Sequence, residues 1–322
     1  MAQTIVVTGA NGFIGLPLCA YLVRESAVAV RAVVRRESTL LAGLADQGRL
    51  RQVVVRDIGS TVDWPAVLAG ADAVVHLAGR AHILDKVRGA MRHADRDAFL
   101  NINVDATLRL AQAAARARVK RFVFVSSAKA GGDKRDPYSR SKGEAERGLS
   151  KICQNLGLEC VIVRPPLVYG PRVRANFLRL LRLVDTGIPL PLASVTNRRS
   201  LIFVGNLVDA LRTCAEHPRA AGQTFSVSDG EDLSTPELVR RIARALDRPA
   251  RLFAFPVGLL VLAGRLTGQT QAIERLTGDQ LVDASPIRAA LGWHPPFSME
   301  HGLTETVAWY RMHQRGNATN KR

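Results

Sequence analysis

The stretch TIVVTGANGFIG at residues 4–15 decides the fold of this chain. Its β-branched first part, Thr4–Thr8, predicts a buried strand, and the amphipathic stretch Phe13–Glu25 predicts a helix. Three glycines, Gly9, Gly12 and Gly15, lie between them. Glycine permits a tight turn and a close backbone approach, and a helix N-terminus offers free N–H groups to an anion. The position of the glycines favours a dinucleotide-binding loop over the alternative, a tight turn alone.

Short apolar runs alternate with helical stretches through the first two-thirds of the chain, which predicts an α/β fold with a doubly wound parallel sheet covered by helices on both faces. The predicted strands are residues 4–8, 27–34, 52–56, 73–77, 122–126 and 160–164. Prolines become frequent after Arg164, and a smaller mixed C-terminal lobe is expected there. We expect a Rossmann domain at 1–165 with 200–228 returning to it, a second lobe at 166–199 and 229–314, and a disordered tail at 315–322.

The net charge of +17 predicts attraction of anions, but the arginines are scattered and aromatic residues make up only 5% of the chain. A solvated basic surface is therefore favoured over a specific nucleic-acid site. The four cysteines contain no C-x-x-C pair. We expect neither a metal site nor a disulfide framework, and a reducing, cytoplasmic location.

The N-terminus shows no signal-peptide pattern. The longest apolar run, residues 253–266, contains Pro256 and two glycines and is too short to span a bilayer. A core or interface helix is the favoured interpretation of this run, and a weak peripheral membrane contact is the alternative.

The end of the second predicted strand bears on the choice of cofactor. An acidic residue at this position would hold the ribose hydroxyls of NAD, but the strand runs into Arg35 and Arg36. Arginine suits a 2′-phosphate, so NADP(H) is favoured over NAD(H). Asp57, followed by Ile58, is placed to contact the adenine, or alternatively to cap a turn.

Tyr138 and Lys142 are spaced to share one face of a helix that Asp136-Pro137 would begin. A lysine beside a tyrosine favours the phenolate, so the phenol could exchange a proton near neutral pH. Ser127 follows the strand at 122–126 and could hydrogen-bond the reacting oxygen, with Ser126 as the competing candidate. This combination suits carbonyl/alcohol redox chemistry.

Together, Thr8–Gly15, His76–Gly79, Asn103, the Tyr138/Lys142 pair and Arg164–Pro171 resemble the extended short-chain dehydrogenase/reductase family, the NAD-dependent epimerases and dehydratases. The resemblance implies a catalytic triad of Ser127, Tyr138 and Lys142 and no metal. The implied cofactor-binding residues are Gly9, Asn11, Gly12, Phe13, Ile14, Gly15, Arg35, Arg36, Asp57, Ile58, Leu77, Ala78, Gly79, Asn103, Tyr138, Lys142 and Pro165.

The same resemblance implies a nucleotide-sugar substrate bound by the second lobe, and a homodimer formed through 104–118 and 138–149. The implied substrate-binding residues are His82, Lys129, Asn176, Arg199, Arg275 and Asp279. Three features depart from the family. Ala128-Lys129 stands where dehydratases of the family have an acidic pair, which disfavours 4,6-dehydration. The interval from Ser127 to Tyr138 is shorter than in most extended members. Leu167 stands where many epimerases have asparagine.

Within the family, the region around Ala128-Lys129, residues 142–146 and the segments from 255 to 293 resemble bacterial surface-polysaccharide enzymes that are often called UDP-glucose 4-epimerase. Some of these are similar to 4-ketoreductases that form UDP-N-acetylquinovosamine. The leading hypothesis from sequence is therefore reduction of the C4 keto group of a UDP-4-keto-hexose or UDP-4-keto-HexNAc in surface polysaccharide synthesis. The alternative is a UDP-hexose or UDP-HexNAc 4-epimerase with tightly bound NAD. A remote alternative is a non-catalytic dinucleotide sensor or RNA-binding protein.

Overall fold

The computed structural model describes residues 3–24, 28–44, 48–60, 62–80, 99–132 and 136–319. The contacts between Cα atoms divide the chain into two units. The first comprises residues 1–165, 208–227 and 284–294, and the second comprises 166–207, 228–283 and 295–322. The domain boundaries expected from the sequence stay a prediction.

A seven-stranded sheet forms the centre of the first unit, in the order β3-β2-β1-β4-β5-β6-β9, with every neighbouring pair parallel. This confirms the doubly wound sheet predicted from the alternation of strands and helices. The strands are β1 (Gln3–Thr8), β2 (Val28–Val34), β3 (Leu50–Val54), β4 (Ala73–His76), β5 (Arg121–Val125), β6 (Glu159–Arg164) and β9 (Thr224–Ser226).

Helices connect these strands because parallel neighbours require a crossover. They are α1 (Gly15–Arg24), α2 (Thr39–Ala42), α3 (Trp64–Leu68), α4 (Ala106–Arg116), α5 (Pro137–Leu156), α7 (Val204–Glu216, which contains the unit boundary) and α11 (Ser285–Leu291). A π-helical turn at Asn101–Asp105 leads into α4. Phe122 and Phe124 of β5 pack in one buried cluster with Leu110 of α4 and Leu149 of α5. This cluster fixes α5 against the strand whose end carries Ser127.

The second unit contains a three-stranded sheet in the order β10-β8-β7. Its strands are β7 (Leu167–Tyr169), β8 (Arg199–Phe203) and β10 (Asp232–Leu233), and its helices are α6 (Ala175–Asp185), α8 (Thr235–Ala245), α9 (Val257–Leu266), α10 (Thr270–Thr277) and α12 (Met299–Thr319). Helix α12 ends inside the segment expected to be a tail. Buried Asp229 accepts hydrogen bonds from the Tyr169 hydroxyl, at 2.8 Å, and from Asn206 Nδ2, at 2.7 Å. These bonds join β7 to the start of α7 within this unit.

Two sequence expectations differ from the structure. Cys153 of α5 and Cys160 of β6 form a disulfide, so the prediction of no disulfide was wrong. Gly157 ends α5 in the left-handed conformation, with φ of 67°, and turns the chain so that the two cysteines meet. In addition, α9 is largely exposed, so the core-helix interpretation of residues 253–266 was wrong, while the interface-helix and membrane-contact interpretations stay predictions. Among the described residues, no helix combines the length and the apolar character needed to cross a membrane.

Buried Arg121 fixes the beginning of β5 to the last turn of α7 and to the loop that follows it. Its guanidinium donates to Glu159 Oε2 at 2.6 Å and to the carbonyl oxygens of Cys214 and His217 at 2.8 and 3.0 Å. A buried carbonyl oxygen that loses its hydrogen-bond donor lowers the free energy of unfolding, because no water molecule replaces the lost hydrogen bond.

The substitution Arg121→Met is therefore expected to lower the free energy of unfolding by about 3 kcal/mol, measured by urea denaturation. Arg140→Met serves as the control, because Arg140 makes an ion pair with Glu144 on the exposed side of α5. That change should cost less than about 1 kcal/mol. Equal effects of the two substitutions would contradict the structural role of Arg121.

Candidate functional site

The strand order reverses between β1 and β4, and ligands of open parallel sheets bind at the carboxyl ends of strands near such a reversal. The glycine loop follows β1, and Leu77-Ala78-Gly79 follows β4. Gly9 has φ of +68°, and a Cβ atom there would lie 2.9 Å from the Ala78 backbone nitrogen. The two loops therefore touch through backbone atoms, and a side chain at Gly9 would separate them.

The glycine loop is built to keep backbone atoms at its surface. Gly12 N donates to Gly9 O at 2.9 Å, and a Cβ on Gly12 would lie 2.9 Å from the same oxygen. A Cβ on Gly15 would overlap Gly9 O and the backbone of Ala10. Since α1 begins at Gly15, the loop presents the positive end of a helix without side chains in the way. A dinucleotide pyrophosphate fits this arrangement.

A buried hydrogen-bond chain holds the ends of β1 and β4 together. Thr107 Oγ1 donates to Asn103 O at 2.9 Å, so the His76 Nε2 atom, 2.9 Å away, must be the donor toward Thr107. His76 Nδ1 then accepts from Thr8 Oγ1 at 2.7 Å. Burial, reinforced by the charge of Lys142, lowers the pKa of His76 to about 3. The histidine is therefore a neutral structural linker.

Asn103 connects the loop after β4 to α5. Its Oδ1 accepts from Arg80 N at 2.8 Å, while its Nδ2 donates to Arg80 O and to Ser141 Oγ, each at 3.0 Å. Ser141 Oγ donates in turn to Tyr138 O at 2.9 Å. A Cβ on Gly79 would come within 3.1 Å of Asn103 Oδ1 and 3.6 Å of Lys142 Nζ. Gly79, Asn103 and Lys142 therefore surround one small space.

Tyr138 lies in the first turn of α5, as the Asp136-Pro137 pair predicted. Asp136 caps the helix by accepting from the backbone N–H groups of Tyr138 and Ser139. The Ser127 side chain interacts with the Tyr138 hydroxyl and acts to lower its pKa. Ser126 Oγ, in contrast, is buried and has no hydrogen-bond partner among the described residues. Of the two serines, Ser127 is the one that engages the phenol.

The pKa of Tyr138 is raised in the structure rather than lowered. Burial is the largest cause, the interaction with Ser127 opposes it, and the charge of Asp136 adds to it. The sequence suggested instead that Lys142 would favour the phenolate. The difference arises because burial penalises the charged phenolate more than the neighbouring groups stabilise it. The phenol is therefore in its proton-donating form at neutral pH.

Lys142 lies one helical turn after Tyr138, and its ammonium is buried at the end of β5. Nζ donates to Val125 O at 2.8 Å and lies 4.6 Å from the centre of the Phe124 ring. Burial lowers the pKa of Lys142 to about 8, and the charge of Glu146 opposes this shift. Arg164 Nε donates to Glu146 Oε1 at 2.9 Å. Glu146 is thus held between two cations.

The other predicted residues of the first unit occupy varied surroundings. Arg35, Arg36 and Asp57 are exposed, and Asp57 Oδ1 accepts from Gly59 N at 2.8 Å, which is the turn-capping contact named as its alternative role. Pro165 is buried and its carbonyl accepts from Ala128 N at 2.9 Å. Lys129 N donates to Ser127 Oγ at 3.2 Å, and His82 lies outside the described residues.

Four predicted substrate residues come together within the second unit. Arg199 donates to Arg275 O at 2.6 Å, and Arg275 Nη1 approaches Asn176 Oδ1 at 3.5 Å. Asp279 Oδ1 accepts from Arg198 N at 2.7 Å. Burial and the charge of Arg275 lower the pKa of Arg199, and the charge of Asp279 opposes them. We call Arg199, Arg275 and Asn176 the basic cluster, and their contacts centre on the segment from Arg275 to Gln280.

Sequence comparison gives a match between residues 5–228 and the NAD dependent epimerase/dehydratase family. The chain belongs to this family. The match extends from the glycine loop through the Ser127, Tyr138 and Lys142 cluster to the end of β9. The family resemblance inferred from the motifs is therefore confirmed. The family is named for NAD, and a nicotinamide dinucleotide fits the glycine loop described above.

Individual family members are similar over nearly the whole chain. The UDP-glucose 4-epimerase of Vibrio cholerae is 39% identical over 95% of this chain and 95% of its own. The structure of MoeE5 in complex with UDP-glucose and NAD has a TM-score of 0.72 and 26% identity, covering 97% of this chain and 100% of its own. Bacillus cereus UDP-glucuronic acid 4-epimerase in complex with NAD superimposes with a TM-score of 0.76 at 22% identity, covering 98% of each chain, which supports the fold.

Several supporting residues were not singled out from sequence. Glu146 follows Lys142 by four residues. Because residues i and i+4 share a helix face, this spacing could have identified Glu146 as a partner of Lys142. Gly143 allows the backbone of Gly131 to approach α5, because a Cβ on Gly143 would lie 2.9 Å from Gly131 N. Gly131, within the short interval between Ser127 and Tyr138, has φ of +74°, in the left-handed region that favours glycine. Within the described ranges, no group of three or more histidine, cysteine, aspartate or glutamate residues could hold a metal ion.

The substitution Gly15→Ala is expected to weaken NAD binding by at least ~10-fold, because the added methyl group must displace Gly9 O from the cradle. Isothermal titration calorimetry would measure the affinity. Gly43→Ala is the matched control, since Gly43 has φ of −64° and its Cβ would meet only ordinary contacts at 3.7 Å. Unchanged NAD affinity in a folded Gly15→Ala protein would contradict this location for the cofactor.

Proposed function

We propose that this protein is an NAD-dependent 4-epimerase of a UDP-hexose or UDP-HexNAc. The observation that carries the proposal is the 39% identity to the V. cholerae UDP-glucose 4-epimerase over 95% of both chains. The Ser127, Tyr138 and Lys142 cluster supports it, because these groups can handle the proton of a sugar hydroxyl. The proposal replaces the 4-ketoreductase hypothesis favoured by the sequence, for which the comparisons offer no specific support.

NAD is proposed as the cofactor instead of NADP. The preference for NADP rested on Arg35 and Arg36, which are exposed side chains at the end of β2. The MoeE5 complex contains NAD, and that protein is 26% identical to this chain over almost its full length. An epimerase also has no need of the reduced NADP pool, because the hydride that leaves the sugar returns to it.

The proposed reaction inverts the configuration at C4 through a 4-keto sugar. When bound, NAD would supply the hydride acceptor for oxidation at C4 and the hydride donor for reduction from the opposite face of the same sugar. The phenolate form of Tyr138 would accept the proton of the C4 hydroxyl during oxidation, and the resulting phenol would return it to the C4 oxygen during reduction. Burial alone favours the neutral phenol, so the phenolate requires added positive charge, which an oxidised nicotinamide would supply. Ser127 orients that oxygen through its hydroxyl. Lys142 places a positive charge beside the C4 oxygen, where negative charge develops.

Binding of the UDP group is assigned to the basic cluster of the second unit. Arg275 and Asn176 offer donors that suit a diphosphate, and Arg199 holds the backbone of Arg275 in place. Asp279 fixes the same segment by accepting from Arg198 N. Arg199 is therefore proposed to position the phosphate-binding segment, with Arg275 as the direct contact.

The substitution Tyr138→Phe is expected to reduce conversion of UDP-glucose to its C4 epimer by at least ~100-fold while leaving NAD binding unchanged, because only the proton-transferring hydroxyl is lost. Chromatography of the two UDP-sugars would measure turnover. Tyr21→Phe removes a hydroxyl that donates to Asp209 on a different part of the first unit, and it should keep full activity. Full activity of Tyr138→Phe would contradict the proposed mechanism.

The pH dependence of kcat/KM should show activity that is present below pH about 8 and lost as the pH rises through that value, because Lys142 loses its charge there. The substitution Glu146→Gln should move this alkaline limb to lower pH, since Glu146 raises the pKa of Lys142. Glu144→Gln, two residues earlier on the same helix, is the control and should leave the limb in place. A profile that stays level well above the pKa of Lys142 would count against a protonated Lys142 in the reaction.

A further inference from the structure

Helix α9 is apolar but faces solvent. Its sequence, VGLLVLAGRL, has one charged residue, and Gly264 is its one buried residue. Leu259, Leu262 and Leu266 are 52%, 50% and 81% exposed. Their spacing, i, i+3 and i+7, places them on one stripe of the helix. A helix with apolar residues on all sides is normally buried, so this exposed stripe calls for a partner.

The opposite side of α9 packs against α10. A Cβ on Gly264 would lie 2.6 Å from Ile273 Cγ1, so α9 packs closely on α10 at this point. Gln269 N donates to Gly264 O at 2.7 Å and fixes the turn between the two helices. The leucine stripe is therefore held outward by a tight contact behind it. Phe253, which precedes α9 and is 45% exposed, adds to the apolar surface.

The chain segment that contains α9 carries positive charges and is flanked by two acidic residues, Asp247 and Glu274. One of its arginines, Arg248, forms an ion pair with Asp185 at 3.8 Å. The charged residues from 248 to 273 are three exposed arginines, Arg248, Arg251 and Arg265, with no acidic residue among them. Arg265 lies in the last turn of α9, next to Leu266. The whole chain carries a net charge of +17, so it is attracted to an extended anionic surface.

We propose that the α9 face, defined as Phe253, Leu259, Leu262 and Leu266 with Arg251 and Arg265, docks this protein on an anionic lipid bilayer. The helix has ten residues and is about 15 Å long, half the hydrocarbon thickness of a bilayer, so it would lie in the interfacial region. The leucines would enter the acyl boundary, and the arginines would contact lipid phosphates. This docking is independent of the proposed epimerase reaction.

A bilayer fits these observations better than a second copy of the chain. Two copies joined through the α9 face would bring like-charged arginines together on chains that each carry +17. An anionic bilayer instead complements the basic residues and accepts the leucines. Because each cation near an anionic bilayer contributes favourable energy that salt screens, binding should depend on lipid charge and on ionic strength.

The test is co-sedimentation of the full chain with vesicles of phosphatidylcholine containing about one third phosphatidylglycerol, compared with vesicles of phosphatidylcholine alone. The wild-type protein should bind the anionic vesicles and release as NaCl is raised. The double substitution Leu259→Glu/Leu262→Glu should lower the partition coefficient by at least ~10-fold, because it removes two apolar insertions and adds two negative charges. The urea unfolding midpoint of the double variant should equal that of the wild-type protein, which shows that the variant is folded.

The matched control is Leu40→Glu/Leu156→Glu, because both leucines are 51% exposed but lie in α2 and α5. It adds the same charge and should retain most of the vesicle binding. Equal losses in the two double variants would show an effect of net charge alone and overturn the proposal. So would absent vesicle binding by the wild-type protein, or a dimer in light scattering that Leu259→Glu/Leu262→Glu converts to monomer without any vesicle binding.

Discussion

The buried ammonium of Lys142 is the constraint around which the rest of the site is arranged. Its Nζ donates to Val125 O at the end of β5, and the Phe124 ring lies beneath it. Since burial disfavours its charge, the neighbouring Glu146 is needed to support it, and Arg164 holds Glu146. The contacts tie α5 to β5 and β6, so they also set the position of Tyr138 one turn earlier.

The order of the strands explains why distant segments meet at this lysine. The loops after β1, β4 and β5 reach the same edge of the sheet. The His76 chain joins the first two loops, and Asn103 links the second to α5. A neutral histidine and an uncharged asparagine make these links, and Lys142 adds a buried cation beside them. The loops that suit a nicotinamide dinucleotide and the side chains that suit proton transfer are thus held by the same sheet and by α5.

The sheet, the glycine loop and the Tyr138–Lys142 spacing were predictable because each leaves a local pattern: β-branched runs, glycines at a strand end, and i to i+4 spacing. The Cys153–Cys160 disulfide was not predictable from a C-x-x-C search, because a left-handed turn at Gly157 brings the two cysteines together. The raised pKa of Tyr138 depends on burial, which sequence spacing does not reveal. The preference for NADP inferred from Arg35 and Arg36 was not supported, since a charge pattern alone does not show whether those side chains face a ribose. The exposure of α9 was also not predictable from sequence, because its apolar composition is typical of a buried helix.

Isotope tracing with UDP-glucose carrying deuterium at C4 tests the central claim most directly. The purified protein would be incubated with this substrate and NAD, and the products would be followed by NMR. The account predicts that the C4 epimer forms without added NADPH and that deuterium stays at C4, because the hydride returns to the sugar from which it came. Formation of product only from a 4-keto substrate with added NADPH, or loss of the deuterium to free dinucleotide, would contradict the account.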